Sequence, residues 1–460
     1  MTSDLTQGKI FPSLVRLAMP IALGQVMHMV YNLLDMFWLG RYSNYGVASA
    51  GIAGLFIWLS VGLMFIGRVG AEVGVAQARG RGDTAAAYAH SRVAIYIAAV
   101  LGTLYGIFLL ALRTQLVSFF NFQEAHVAVG AVTYTGIIAL GMPAVFVGAA
   151  IKGTFVASGN ARTPFAVSAV GLVANIALTP LLIFYFGMGV AGAAIASVVA
   201  QYLVLILSIV SLKWFKNRPF VTYNLLPHPH RLWQRMWQDL RYGTANGMFK
   251  LTLPVFAENT IFPLLTMITA RFEVSFGAFA LSMSRVGTQV ESLSWLIGGG
   301  FGAALTAFVG QNFGAGKFER IAKGVKASVF FLAGWGLFVT LIMWFGAGIV
   351  MQIFLPYYAA DPQMRALFVT YMRILAASQV FGNLEFVANN AFRGTGRTIP
   401  PSIISISSNI IRVPLAFVLS RTWLGVLGVW VAISFTSGLR GVVGCIWYFS
   451  SKKRKNIKSC

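Results

Sequence analysis

Gln77-Ala78-Arg79-Gly80-Arg81-Gly82 returns as Gln311-Asn312-Phe313-Gly314-Ala315-Gly316, displaced by 234 positions. Working outward in the same register, Leu17-Ala18-Met19-Pro20 falls on Leu251-Thr252-Leu253-Pro254, and Asn175 and Pro180 fall on Asn409 and Pro414. The register slips by three positions where Phe155-Val156-Ala157-Ser158-Gly159 meets Phe392-Arg393-Gly394-Thr395-Gly396, as one short loop insertion would produce. Agreement at the starts, middles and ends of both halves makes the chain a fused duplication.

The solvent of this duplicated unit is lipid. Of the 460 residues, 57% are hydrophobic and 10% charged, and the mean hydropathy is +0.75, outside the range of soluble domains. Stretches long enough to span a bilayer, about 20 residues each, are read at 14–40, 46–78, 90–112, 125–151, 164–186 and 188–212. The second half repeats them at 247–270, 276–310, 324–351, 364–391, 400–420 and 425–449. The expected fold is an all-α membrane protein with twelve transmembrane helices in two pseudo-symmetric six-helix lobes, 1–212 and 247–449. Six spans per lobe put both repeats in from the same side, so they are parallel repeats about an axis along the membrane normal, a secondary-transporter architecture.

The polar segment 213–246 reads as a cytoplasmic inter-lobe linker, in which Trp233, Met236, Trp237 and Leu240 recur at helical spacing beside basic residues, the pattern of a short interfacial helix. The net charge of +23 would suggest nucleic acid in a soluble protein, but its placement points to topology. Only Arg41, Arg113, Arg271, Arg365 and Arg421 lie in loops on one side, whereas the termini and the opposite loops carry the bulk of the Lys and Arg. Both termini are therefore expected in the cytoplasm. The tail 450–460, with Lys452-Lys453-Arg454-Lys455, reads as a topology anchor near anionic lipid, and no nucleic-acid partner is expected. No basic segment and short apolar run resembling a cleaved signal precedes Pro12, which leads directly into a full-length span. Cys445 and Cys460 are the only cysteines, so neither a disulfide framework nor a Cys-based metal site is expected.

Carboxylates at bilayer depth carry the functional signal, because each costs about 2.5–3.5 kcal/mol to insert and so usually faces a cavity. Asp35, Glu258, Glu291 and Glu385 qualify. His28, Tyr31, Asn32 and Asp35 share one helical face in an otherwise apolar span, which makes Asp35 the leading candidate to exchange a proton for Na+ or for a cationic substrate. Pro20 and Pro254, at matching positions of spans 1 and 7, are candidate hinges, with a static kink as the plainer reading. Glu258 and Glu385 are candidates to meet cationic substrates from the second lobe, with Asn389 and Ser378 on the face of Glu385, which has a structural hydrogen-bonding reading beside this one. Glu291, with Ser284, Thr288 and Arg285 nearby, reads as part of an internal polar network, and Arg68 and Glu72 as a structural i, i+4 pair. The run Gly298-Gly299-Gly300 with Gly302 lies inside a span without a GxxxxGK[ST] motif, so it reads as close helix packing rather than a phosphate loop.

At Pro20, at Asp35, and in the loops Gln77–Gly82, Gln311–Gly316, Gly153–Pro164 and Asn390–Pro401, the chain resembles the multidrug and toxic compound extrusion (MATE) family. Tyr31-Asn32-Leu33-Leu34-Asp35 and Asn175-Ile176-Ala177-Leu178 are similar to the DinF/MepA-like branch. The resemblance implies a V-shaped pair of lobes about a central cleft, and efflux of organic cations or amphipathic drugs by H+ or Na+ antiport with alternating access. It implies a monomer in the cytoplasmic (inner) membrane, with no cofactor other than the coupling ion. Carried over residue by residue, it implies an ion-coupling cluster of Asp35, Tyr31, Asn175, Thr179 and Ser197, with His28, Asn32, Glu258 and Glu385 towards substrate. Thr179 departs from the family pattern, in which an acid is common there. That loss favours proton coupling, while a Na+ site near Asp35 and Asn175 stays open. Two other readings remain: a lipid-linked oligosaccharide flippase of the same broad architecture, and a membrane-embedded enzyme, against which stands the lack of an HExxH motif or a paired nucleophile and base.

Overall fold

The computed structural model describes residues 4–43, 45–119, 125–214, 244–355 and 359–453. They form twelve long helices, and no strand occurs among the described residues. The first half holds α1 Ile10–Tyr42, α2 Gly46–Gly80, α3 Thr84–Ser118, α4 Ala125–Ala157, α5 Arg162–Pro180 and α6 Gly189–Trp214. The second holds α7 Thr244–Val274, α8 Ala278–Gly314, α9 Phe318–Phe354, α10 Pro362–Gly394, α11 Ile399–Ser420 and α12 Val426–Lys453. Eleven of these are long and apolar enough to cross a membrane, which makes the chain a multi-pass membrane protein. The other is α10, whose hydropathy is lowered by Arg373, Gln379, Asn383, Glu385, Asn389, Asn390 and Arg393. The expected linker helix around Trp233 to Leu240 and the end of the basic tail lie outside the described residues.

The repeated loop motifs fold as four copies of one helix stop. Gly82, Gly316, Gly159 and Gly396 all have φ between 70° and 80°, the left-handed region that glycine enters without a Cβ penalty. Each is followed by the same closing bond: Asp83 N to Ala78 O, Lys317 N to Asn312 O, Asn160 N to Phe155 O and Arg397 N to Phe392 O, at 2.8–3.0 Å. This Schellman geometry satisfies carbonyls that a helix end leaves open. It also explains why the sequence repeat is sharpest in these loops. α3 then starts on Asp83, whose side chain accepts from Ala86 N, and α10 on Asp361, which accepts from Gln363 N ahead of Pro362.

Packing in the second half copies packing in the first. α4 sits against α2, α3 and α6 while α5 bridges α1 and α6; likewise α10 sits against α8, α9 and α12 while α11 bridges α7 and α12. Across the pseudo-twofold, α1 lies on α8, α7 lies on α2, and α2 meets α8. The two halves share one buried core at the loop end, where Leu14, Leu17 and Ile21 of α1 meet Phe301, Leu305 and Phe308 of α8. At the far end each half keeps a core of its own, around Tyr105, Met142 and Phe146 in the first and around Met343, Phe368 and Trp430 in the second. The result is a V of two six-helix bundles, joined at the loop end.

Two reciprocal side-chain bonds clasp that vertex. Gln77 Nε2 donates to Gly394 O at 3.0 Å, and its repeat partner Gln311 donates through Nε2 to Ala157 O at 2.7 Å. Gly80 and Gly314 let α2 and α8 cross so closely that a Cβ on either would strike the backbone carbonyl of Gln311 or Gln77. The residues before α1 seal the same end: Leu5 is fully buried, its N–H donates to Gln311 Oε1, and its carbonyl accepts from Asn312 and Arg320.

Candidate functional site

Asp35 is 6% exposed, three-quarters of the way along α1. α5 and α6 bring Thr179 and Ser197 to it: Thr179 Oγ1 donates to Oδ1 at 3.2 Å and Ser197 Oγ to Oδ2 at 3.1 Å. Asn175, one turn before Thr179, is fully buried and approaches the Asp35 carboxyl, and Tyr31 OH, one turn before Asp35, is buried near Ser197. Tyr134 of α4 is buried in the same region. No Lys, Arg or His forms an ion pair with Asp35 among the described residues. A buried carboxylate ringed only by neutral groups binds a proton or a cation in preference to standing alone. Immediately after Thr179, Pro180 withholds an N–H, and the chain continues as a π-helical turn, Leu181–Tyr185, a local widening often found at functional sites.

The polar stripe of α1 divides in the structure. Tyr31 and Asp35 turn into the first lobe, while His28 and Asn32 are exposed, His28 within electrostatic reach of Lys152 on α4. The His28 and Tyr31 rings still meet edge to face at 6.1 Å. α1 runs as one helix through Pro20, and α7 through Pro254 and Pro263.

The second-lobe acids lie in a different electrostatic setting. Glu258 accepts from Arg393 Nη2 at 3.1 Å and from Ser402 Oγ at 3.2 Å. Glu385 pairs with Arg440 at 3.4 Å and accepts from Asn389 at 3.3 Å. Ser378 takes no part; its hydroxyl bonds back to Leu375 O. Glu291 accepts from Gln379 Nε2 at 3.1 Å, with Arg412 and Arg440 acting on it from further off. Arg412, 5% exposed, is held by Thr436 Oγ1 at 2.9 Å and Ser437 Oγ at 3.1 Å. Glu258 and Glu385 are thus ion-paired with Arg393 and Arg440, whereas Glu291 is held by Gln379 with Arg412 and Arg440 at longer range. Arg68 and Glu72 form the expected i, i+4 pair at 3.1 Å.

Three charged groups in the lobes carry no local sequence signal of their own: Arg412, Arg440 and Lys152. Arg412 and Arg440 stand out only as in-span cations that need acids. Lys152 on α4, half-buried and reaching over Gly24 of α1, forms no ion pair among the described residues. Among those residues no cluster of three or more His, Cys, Asp or Glu side chains could hold a resident metal.

The MatE family profile matches residues 20–181 and 254–418, so the two matched segments begin at Pro20 and Pro254 and follow the duplication. The chain belongs to the MATE family. It is a MATE transporter rather than an enzyme. The probable multidrug resistance protein NorM of Thermotoga maritima is 28% identical over 457 residues, covering 97% of this chain and 94% of that protein. The multidrug export protein MepA of Staphylococcus haemolyticus is 21% identical, covering 92% of this chain and 90% of its own. Among solved structures, a MATE crystal structure in the bent conformation superposes with a TM-score of 0.88 over 100% of both chains at 19% identity. An outward-facing MATE transporter of the MOP superfamily reaches 0.86 over 100% of this chain and 99% of that one, at 19% identity. At that identity the superpositions establish the MATE fold, and the roles of individual residues rest on the geometry above.

Proposed function

We propose that this MATE transporter exports organic cations or amphipathic drugs in exchange for protons, with Asp35 as the coupling acid. The observation that carries the reading is the neutral pocket of Asp35. A carboxylate already neutralised by an arginine has little use for a proton at ordinary pH, whereas one surrounded by Thr179, Ser197, Asn175 and Tyr31 gains by taking one up. In the cycle, the lobes part at the far end, Asp35 takes up a proton, and its hydrogen bonds to α5 and α6 rearrange. That change favours release of drug from the cleft beside His28 and Asn32. Closure at the far end and opening of the vertex then return Asp35 to the other side, where it gives up the proton and drug binds again. Substrate and proton compete through the conformations they favour.

The lobes 1–212 and 247–449 are the rocking bodies of this scheme, with Pro20 and Pro254 as flexing points in α1 and α7. Glu258 and Glu385 contribute to the cleft as ion-paired walls. Arg41, Arg271 and Arg421 at the far ends of helices, against the denser basic residues at the vertex, support a vertex and termini on the cytoplasmic side of the inner membrane. The chain acts as a monomer. One observation favours Na+ as a second reading: Asp35, Thr179, Ser197, Asn175 and Tyr31 present only oxygen or amide groups to the site, the donor chemistry of a hard cation, though with a single charge. Efflux of a fluorescent cation from vesicles, under a pH gradient or a Na+ gradient imposed separately, tests the function. Efflux under the pH gradient alone supports proton antiport; efflux under the Na+ gradient alone supports the second reading; efflux under neither removes both.

A further inference from the structure

Glu273 is a buried acid that the scheme above does not use. It lies one residue from the end of α7, at 5% exposure, where α7, α8, α10 and α12 converge. Its Oε1 accepts from Trp430 Nε1 at 3.1 Å, and the same indole N–H lies 2.8 Å from Ser284 Oγ. Tyr371 completes the cage: its OH donates to Ser284 O at 3.2 Å, and its ring stands 4.3 Å from that of Trp430. Around this polar knot the packing is dry, with Met283, Met343, Phe368 and Met372 all fully buried.

The charges nearby do not neutralise it. Arg285 on α8 acts on Glu273 from beyond ion-pair distance, its own side chain exposed. Arg271, on the same helix as Glu273, is exposed, and Arg421 beyond α11 stacks over Phe417 at 4.1 Å. On α10 the facing titratable group is Tyr371, on which Glu291 of α8 also acts; α12 contributes the neutral Trp430. No ion pair to Glu273 forms among the described residues. Glu273 therefore shares with Asp35, and not with Glu258 or Glu385, the condition of a buried carboxyl held by neutral donors.

The duplication places the two carboxyls at comparable positions. Asp35 falls on Thr269, and Glu273 follows one helical turn later on the same face of α7. Tyr371 stands where the first lobe carries Tyr134, in the register that matches Phe155 with Phe392. The donor set also selects the ligand. An indole N–H offers no lone pair to a metal, so the side of the carboxyl held by Trp430 suits a proton better than Na+.

We propose that Glu273 is a second proton-binding site, in the second lobe, filled and emptied during the transport cycle separately from Asp35. The inference rests on proton antiport as read above. Charging the carboxyl strengthens its bond to Trp430 and draws α7 to α12; neutralising it loosens that tie at the far end of the second lobe. Each lobe then carries one acid that responds to protons at its outer end.

The test is pH-difference infrared spectroscopy of the full chain in lipid vesicles, reading the carboxylic C=O band, together with protons moved per substrate. Glu273→Gln keeps the acceptor and the shape while removing the titration. It is expected to delete one component of the band, to leave the component deleted by Asp35→Asn, and to lower the count from about two protons per substrate to about one. Trp430→Phe, which keeps the acid and removes its donor, is expected to displace the Glu273 component. A Glu273→Gln spectrum superimposable on that of the parent overturns the proposal, as does a Trp430→Phe spectrum with every component in place. An unchanged Asp35→Asn spectrum speaks instead against the coupling role of Asp35, so the two failures are distinguishable.

Discussion

In the first lobe Asp35 lies among Thr179, Ser197, Asn175 and Tyr31; in the second, Glu258, Glu291 and Glu385 lie among Arg393, Arg412 and Arg440. The helices around these groups repeat each other in order and packing, so the frame cannot explain the contrast. The difference lies in counter-charge. Pairing a buried carboxylate with a guanidinium makes it an internal strut, because its charged form is already satisfied. Leaving it among hydroxyls keeps it responsive to protons. A duplicated membrane bundle can thus hold one buried carboxyl responsive to protons and tie another into an ion pair without changing its fold.

The contrast can be broken most forcefully in the second lobe. Arg440→Met removes the ion-pair partner of Glu385 and leaves it near Glu258 in a buried site, and a loss of about 3–5 kcal/mol is expected. Unfolding of the detergent-solubilised protein followed by intrinsic fluorescence reads this loss. The double variant Arg440→Met/Glu385→Gln should recover most of it, and failure to recover would show that Arg440 acts through packing and not through charge. Asp35→Asn, by the same reasoning, should leave stability within about 1 kcal/mol of the parent, since no cation is stranded.

A smaller effect is expected where the lobes meet. Gln77→Ala removes one inter-lobe hydrogen bond and Gln311→Ala two, each worth about 1 kcal/mol. Together they should shift the population between vertex-closed and vertex-open forms by roughly tenfold or more. Distances between spin labels across the vertex would show a second, longer population; an unchanged distribution would mean that the glycine crossing alone holds the vertex. The smallest effect sharpens the description of the pocket. Ser197→Ala removes a single neutral donor from Asp35, so transport should persist with coupling altered by about 0.5–1.5 kcal/mol. That is a few-fold change in the proton concentration giving half-maximal exchange, measurable in vesicles.

How far the sequence goes depends on the range of the interaction. The repeat, the twelve helices and the four glycine stops are written in local pattern, because period and turn chemistry are local properties. Asp35 is legible for the same reason, as a lone acid on an apolar span. Its partners Asn175, Thr179 and Ser197 become legible only through the family resemblance, since nothing in α5 or α6 alone points to α1. The pairing of Glu258 with Arg393, and of Glu385 with Arg440, depends on which helix faces meet in three dimensions. Glu273 falls beyond the span read at 247–270, where the hydrophobic run ends; the helix continues to Val274, and Glu273 meets Trp430 there. α10 reads as a span in spite of its polar residues, and in the structure Gln379, Asn383, Asn389 and Asn390 each donate a side-chain hydrogen bond within the second lobe.

The central claim is that the neutral pocket of Asp35 couples proton movement to transport. Proton flux driven by an imposed substrate gradient, recorded with a trapped pH indicator in vesicles containing either the parent or Asp35→Asn, tests it most directly. Substrate-driven proton movement is expected in the parent and none in the variant, with the variant still binding substrate. Equal proton movement in both would contradict it.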